Sequence, residues 1–316
     1  MTAVEDTPSR PGTDDLHRLL RGLAVGLAAA SIGALYVVFA RWGIGHGASA
    51  MDLTALRFGI AGLILVPVLL HRLHRRPEDL TGPWRIWLAV SFLAGTPFGL
   101  LMFGALQLAP ASHAAVFPFA AMSIMGLVLG AVVLKDRLTL RRLTGIGAVL
   151  VGLVLISGIN AASFSLHGLA GDAMFMIAGT FWSGFGILLR KHRLDPLLAS
   201  AVIAFSALVT FVPVYLWQTG GAGLLALDRA VLLTEALVQG VIAGVGTLLS
   251  YAAMVKILGA SRAAIFPALA PGLAALMAWP VLGLVPGPLE VVGLVTVIGG
   301  LLWAVSGKRP PLVPFR

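Results

Sequence analysis

Few side chains in this sequence are placed to do chemistry, and most of them are aromatic. Tyr36 and Trp182 stand 146 residues apart, each three residues after a glycine, Gly33 and Gly179. Among small residues, a phenol and an indole can stack on a ligand or hydrogen-bond it from two sides, although buried rings also simply fill space. Met102 and Tyr251, 149 apart, form a second candidate pair of ligand contacts, with Met also a common filler of irregular gaps. Arg57 sits about five residues inside an apolar run. A guanidinium there can hold a carboxylate, brace a gate or snorkel to a surface. Ala204, 147 positions on, carries no charge, which favours bracing or gating. Phe117-Pro118 and Phe266-Pro267 are candidate gates, because a proline inside a helix removes a backbone donor and kinks the chain.

The acids point the same way by their scarcity. Asp172, Glu235 and Glu290 all begin apolar runs, where water is expected to reach them, so Asp172 is only the best available candidate for proton coupling. The sequence has neither a His-Glu-x-x-His zinc motif nor a Gly-x-Ser-x-Gly nucleophile elbow, and its seven His lie in loops or at run ends. It contains no Cys, which removes disulfide and thiolate chemistry. This set describes a binding and moving device rather than an enzyme, with no metal or other cofactor expected.

The spacing of the candidates comes from a duplication. Ala-Ser-His-Ala-Ala-Val-Phe-Pro at 111–118 returns as Ala-Ser-Arg-Ala-Ala-Ile-Phe-Pro at 260–267, an offset of 149. Phe58 recurs as Phe205 at 147, and Val66-Pro67-Val68 as Val212-Pro213-Val214 at 146. Alanine matches are cheap in so Ala-rich a chain, but the proline and aromatic matches at one steady offset are not.

At 59% hydrophobic and 11% charged residues, the chain is far more apolar than a soluble domain. Runs long enough to cross a bilayer fall at 22–41, 52–70, 84–105, 112–134, 141–158, 168–189, 197–217, 232–255, 262–283 and 288–305. The expected architecture is an all-α integral membrane protein of ten transmembrane helices in two five-helix repeats, residues 21–160 and 161–307. Short tails, 1–20 and 308–316, flank them. The start of the chain lacks the layout of a cleavable signal, so the first span is expected to serve as an uncleaved insertion signal.

The formal charge of +9 does not read as a nucleic-acid footprint. With the N-terminus placed inside, 19 of the 22 Lys and Arg fall on the cytoplasmic side, which sets both termini in the cytoplasm. Five spans is an odd number, so the second repeat must run upside down relative to the first. The twin loops diverge as the charge rule demands. Gln107 and His113 outside become Lys256 and Arg262 inside, while Lys135-Asp136-Arg137 inside becomes Val285-Pro286-Gly287-Pro288 outside. Inverted repeats are a mark of secondary transporters, in which two halves exchange roles around a midplane site.

These features meet in a resemblance. Thr54 to Phe58, the small-residue third span from Gly95, Ala-Leu before Gln107, Lys135-Asp136-Arg137-Leu138-Thr139, Gly145 and Gly152 resemble the EamA-type family of the drug/metabolite transporter superfamily over residues 20 to 306. That resemblance implies ten helices in two inverted halves in the bacterial inner membrane. Helices one to four and six to nine would surround a central cavity, with five and ten peripheral. It also implies export of amino acids or related small metabolites. Two departures stand out: the family often has Glu where this chain has Asp136, and the matching position in the second half has no acid. Import of a metabolite or vitamin, lipid flipping and a membrane enzyme are the competing readings. The expected partners are a small-molecule substrate and the lipid bilayer, and a homodimer is compatible with them.

Overall fold

The computed structural model describes residues 13–80, 84–114, 116–136, 138–157, 165–247, 249–250, 253, 257, 269–285 and 287–305. These residues are helical almost throughout, because a backbone in hydrocarbon must satisfy its own hydrogen bonds. Among the described residues, seven helices are long and apolar enough to cross a membrane. The first half holds α1 (Thr13–Gly45) and α2 (Ala50–Arg75), then a third span broken into α3 (Trp84–Ala94) and α4 (Thr96–Leu108). The one-turn α5 (Ala111–Ala114) leads to α6 (Phe117–Leu134) and α7 (Leu140–Ser157).

The second half holds α8 (Leu166–His192), α9 (Pro196–Thr219), the short α10 (Ala222–Ala226) and α11 (Arg229–Glu235). The last of these continues as a π-helix over Ala236–Gly246. Shorter apolar helices follow, α12 (Ala270–Leu282) and α13 (Pro288–Val305). Side-chain caps mark several starts. Ser49 and Asp52 form a capping box on α2, and Ser165, Asp195 and Asp228 cap α8, α9 and α11. Glycines in the left-handed region, Gly220 and Gly283, end α9 and α12.

The halves pack as an inverted pair. α9 is the repeat equivalent of α2 and runs antiparallel to it: Gly59 faces Val212, Gly62 faces Leu208, and the ends are joined by Asp52 to Tyr215 and Arg72 to Asp195. α7 and α13, also equivalents, cross antiparallel through glycines. A Cβ at Gly152 would lie 2.7 Å from the Gly293 carbonyl oxygen, and one at Gly300 would lie 2.7 Å from that of Gly145. Such small-residue seams are how membrane helices gain close packing without a hydrophobic driving force. Helices that are not equivalents obey the same two-fold relation. Gly179 on α8 sits on Ala121 of α6, and Gly33 on α1 sits on Ala270 of α12, the same contact shifted by 146 and 149 residues.

Two parts of the sequence reading meet the structure directly here. Pro118 does not kink the interior of span four; it occupies the first turn of α6, after the separate turn α5. The missing N–H would be unpaired at that position anyway, so proline starts this helix at no cost. The interior prolines are instead Pro67 in α2 and Pro213 in α9, a repeat pair, together with Pro280 in α12. Tyr251, Phe266 and Pro267 lie outside the described residues.

Candidate functional site

A cavity of about 60 Å³ lies where α2, α3, α8, α9 and the π-helical stretch converge. It sits on the pseudo-two-fold axis. Arg57 and its repeat equivalent Ala204 both line it, and so do Ala94 and Ala243, which are related by the same duplication. Arg57 lies seven residues, or about 10 Å, into α2. Apart from its neighbour Phe58, the other walls come from mid-helix residues or from residues nearer the end of the bundle that carries Arg72, Arg190 and Arg193, here called the basic end. Arg57 therefore closes the cavity on the side away from that end.

The side chains around Arg57 include two of the sequence candidates, Tyr36 and Trp182. Its guanidinium carbon lies 4.6 Å from the centre of the Tyr36 ring, a cation–π contact. Its Nη1 is shielded from solvent and has no hydrogen-bond partner among the described residues. Trp182 lines the same cavity and packs on Phe98 and Phe185, with ring centres 5.1 and 5.4 Å away. Tyr36 in turn meets the edge of Phe103 at 6.5 Å. Met102 is fully buried in the adjacent apolar cluster with Phe98, Phe103 and Phe175, and does not line this cavity.

Helix irregularities fall beside the cavity at another repeat pair. Gly95 breaks span three into α3 and α4, and Gly244, 149 positions on, lies in the π-helical stretch. A Cβ at Gly244 would lie 2.8 Å from that of Ala61 and 3.1 Å from the Arg57 carbonyl oxygen. π-Helical turns are uncommon and concentrate at functional sites. Broken or irregular helices in matching positions of two halves are where transporter sites are built.

The two ends of the bundle are closed differently. At the end opposite the basic one, His113 Nδ1 pairs with Asp172 Oδ1 at 2.7 Å, and the two side chains are 0% and 5% exposed. Tyr215 donates its hydroxyl hydrogen to Asp52, and both are buried. Gln239 Nε2 donates to Glu235 Oε2 and to the Tyr36 carbonyl oxygen, each at 3.0 Å. Arg41 donates to the Leu106 carbonyl oxygen, tying α1 to α4.

This corrects the expectation that water reaches Asp172 and Glu235, since their residues are 4% and 0% exposed. Each is covered by a helix distant in sequence, and His113 lies in a stretch that reads as a span start, 59 residues before its partner. At the basic end the same helix pairs are joined by solvated ion pairs. Arg72 meets Asp195 at 2.6 Å, and Asp136 meets Arg190 at 3.2 Å and Arg142 at 3.5 Å. Asp136 therefore ties span four to span six.

A second cavity, of about 340 Å³, lies off the axis towards the non-basic end. α1, α12 and the segment after α12 form most of its wall, completed by single residues of α4, α5, α6, α7 and α13, and the walls are apolar apart from Arg41 and Glu290. Its volume is within the ordinary range for small-molecule pockets.

Comparison with known proteins agrees with this geometry. Residues 20–158 and 169–306 each match the EamA-like transporter family. One solved structure, described as a crystal structure of a protein, superposes with a TM-score of 0.64 at 19% identity. It covers 91% of this chain and 97% of that one, a likeness of fold. No curated protein sequence matches the chain.

Proposed function

Because the chain belongs to the EamA-like transporter family, and is therefore a multi-pass secondary transporter and not an enzyme, we propose that it exports amino acids or related small metabolites by alternating access. The observation that carries this reading is the cavity on the pseudo-two-fold axis, lined by both members of two repeat pairs and roofed by Arg57. A site on the symmetry axis serves either half equally, which is what alternating access requires. In this reading Arg57, Tyr36 and Trp182 meet the solute, and Met102 and Tyr251, a pair by repeat position, are the next candidate contacts.

The closures at the two ends are then the gates. The buried pairs His113–Asp172 and Asp52–Tyr215 seal the outside, and the solvated Arg72–Asp195 and Asp136–Arg190 pairs hold the cytoplasmic side. Phe117-Pro118 begins the span that moves against them, and its sequence twin Phe266-Pro267 is proposed for the same gating role in the other half. Asp172 carries the coupling proton. The excess of basic residues at one end supports placing that end and both termini in the cytoplasm of an inner membrane.

Efflux from vesicles tests the reading. Vesicles containing the protein and loaded with a labelled metabolite pool should release a subset of solutes faster than empty vesicles; equal release of every solute would refute carriage. Uptake faster than release under the same gradient would favour an importer. The Cys-free background tests topology: His46→Cys, at an exposed position, should react with an impermeant thiol reagent from outside and Arg76→Cys from inside. Reaction of both from one side would overturn the orientation.

A further inference from the structure

We propose that the axis cavity selects small organic acids that carry a carboxylate but no ammonium group, in preference to zwitterionic amino acids. The inference rests on the carrier reading above and narrows its substrate. Arg57 is the one charged side chain among the described residues that line the cavity, and its Nη1 lacks a partner among the described residues. A guanidinium nitrogen held out of water without a partner is costly, and a bound carboxylate supplies both partner and counter-charge through a charge-assisted hydrogen bond.

Nothing comparable awaits an ammonium. Residues 53–77, 80–135, 173–194, 196–227 and 236–289 contain no Asp or Glu, and these stretches contribute every lining residue among the described residues. The acids nearest in sequence are all engaged elsewhere: Asp52, Asp172 and Glu235 by Tyr215, His113 and Gln239 at the non-basic end, and Asp195 by Arg72 at the basic end. An ammonium entering the cavity would meet Arg57 with only hydroxyls for relief, and like charges repel strongly where water is scarce. The remaining wall, with Trp182, Phe58 and Phe185, suits an aromatic or branched apolar tail. At about 60 Å³ the cavity holds only a handful of waters, so the acid enters as the cavity opens.

Matched ligands isolate the ammonium. Thermal unfolding of the purified full-length protein in detergent is followed with 3-phenylpropanoate, phenylalanine and phenethylamine, and with 4-methylpentanoate, leucine and isopentylamine. At least one acid should raise the midpoint with an apparent Kd about tenfold or more below that of its amino acid, and the amines should have no effect. Arg57→Gln should abolish the acid's shift, and Arg57→Lys should keep part of it. The wild-type comparison stands even if a variant fails to fold. Equal or tighter binding of the amino acid, an acid shift that survives in Arg57→Gln, or no shift with any of the six would each overturn the proposal. Protein-dependent efflux of phenylalanine or leucine in the vesicle assay, without preference for the acid, would leave the carrier reading standing and remove this one.

Discussion

Trp182 faces the axis cavity on one side and the rings of Phe98 and Phe185 on the other, so its truncation removes a wall that a solute would touch. Trp182→Ala is expected to slow efflux about tenfold, equivalent to about 1.4 kcal/mol of lost stabilisation. Trp217→Ala, at a position 84% exposed to the surroundings, should stay within about twofold at equal membrane abundance. Equal efflux from the two variants would remove Trp182 from the site. Asp172→Asn keeps the volume and an acceptor for His113 but cannot release a proton. It should abolish the response of efflux to an imposed pH difference, and an undiminished response would clear Asp172 of the coupling role. Tyr36, Arg57 and Trp182 were legible as candidates because the duplication put the two rings in register and an arginine deep in an apolar run stands out. The burial of Asp172 and Glu235 was not legible. Their covering partners, His113 and Gly43, come from other helices, and helix packing in a membrane leaves little trace in hydropathy alone.

Among elements, the repeat pairs explain which irregularities matter. Gly95 and Gly244 break or loosen spans three and eight at matching positions, and Pro67 and Pro213 lie inside α2 and α9. The sequence showed the proline pair as a repeat but gave no reason to prefer it to Phe117-Pro118. The difference lies in where the helix begins, and a short turn such as α5 carries too little periodicity to reveal that. The glycine seam between α7 and α13 allows a clean test. At Gly152 a Cβ would press on the Gly293 carbonyl oxygen and the Val297 side chain, each at 2.7 Å, whereas at Gly147 it would meet nothing within 4 Å. Gly152→Ala should cost about 1–3 kcal/mol through overpacking, and Gly147→Ala should be neutral or slightly stabilising. Thermal unfolding in detergent reads both; similar midpoints for the two variants would contradict the seam.

Over the whole molecule, the fold was readable to an unusual depth because three independent signals agreed: hydropathy gave the spans, basic residues gave the alternation of sides, and the 146–149 offset gave the repeat. An odd number of spans in each half then forces inversion, and the antiparallel α2–α9 and α7–α13 packing displays it. What sequence could not give is how the two ends are held, with buried polar pairs at one and solvated ion pairs at the other. Exposed ion pairs contribute little, and buried ones resist opening once a partner is withdrawn. The two ends should therefore open with different energies. Ser200, on the cavity wall at the basic end of α9, reports the central claim most directly in this Cys-free chain. With Ser200→Cys, an impermeant thiol reagent should react from either face of the membrane, and solute added to one face should raise the rate from one side while lowering it from the other. Reaction from a single face under every condition would contradict alternating access.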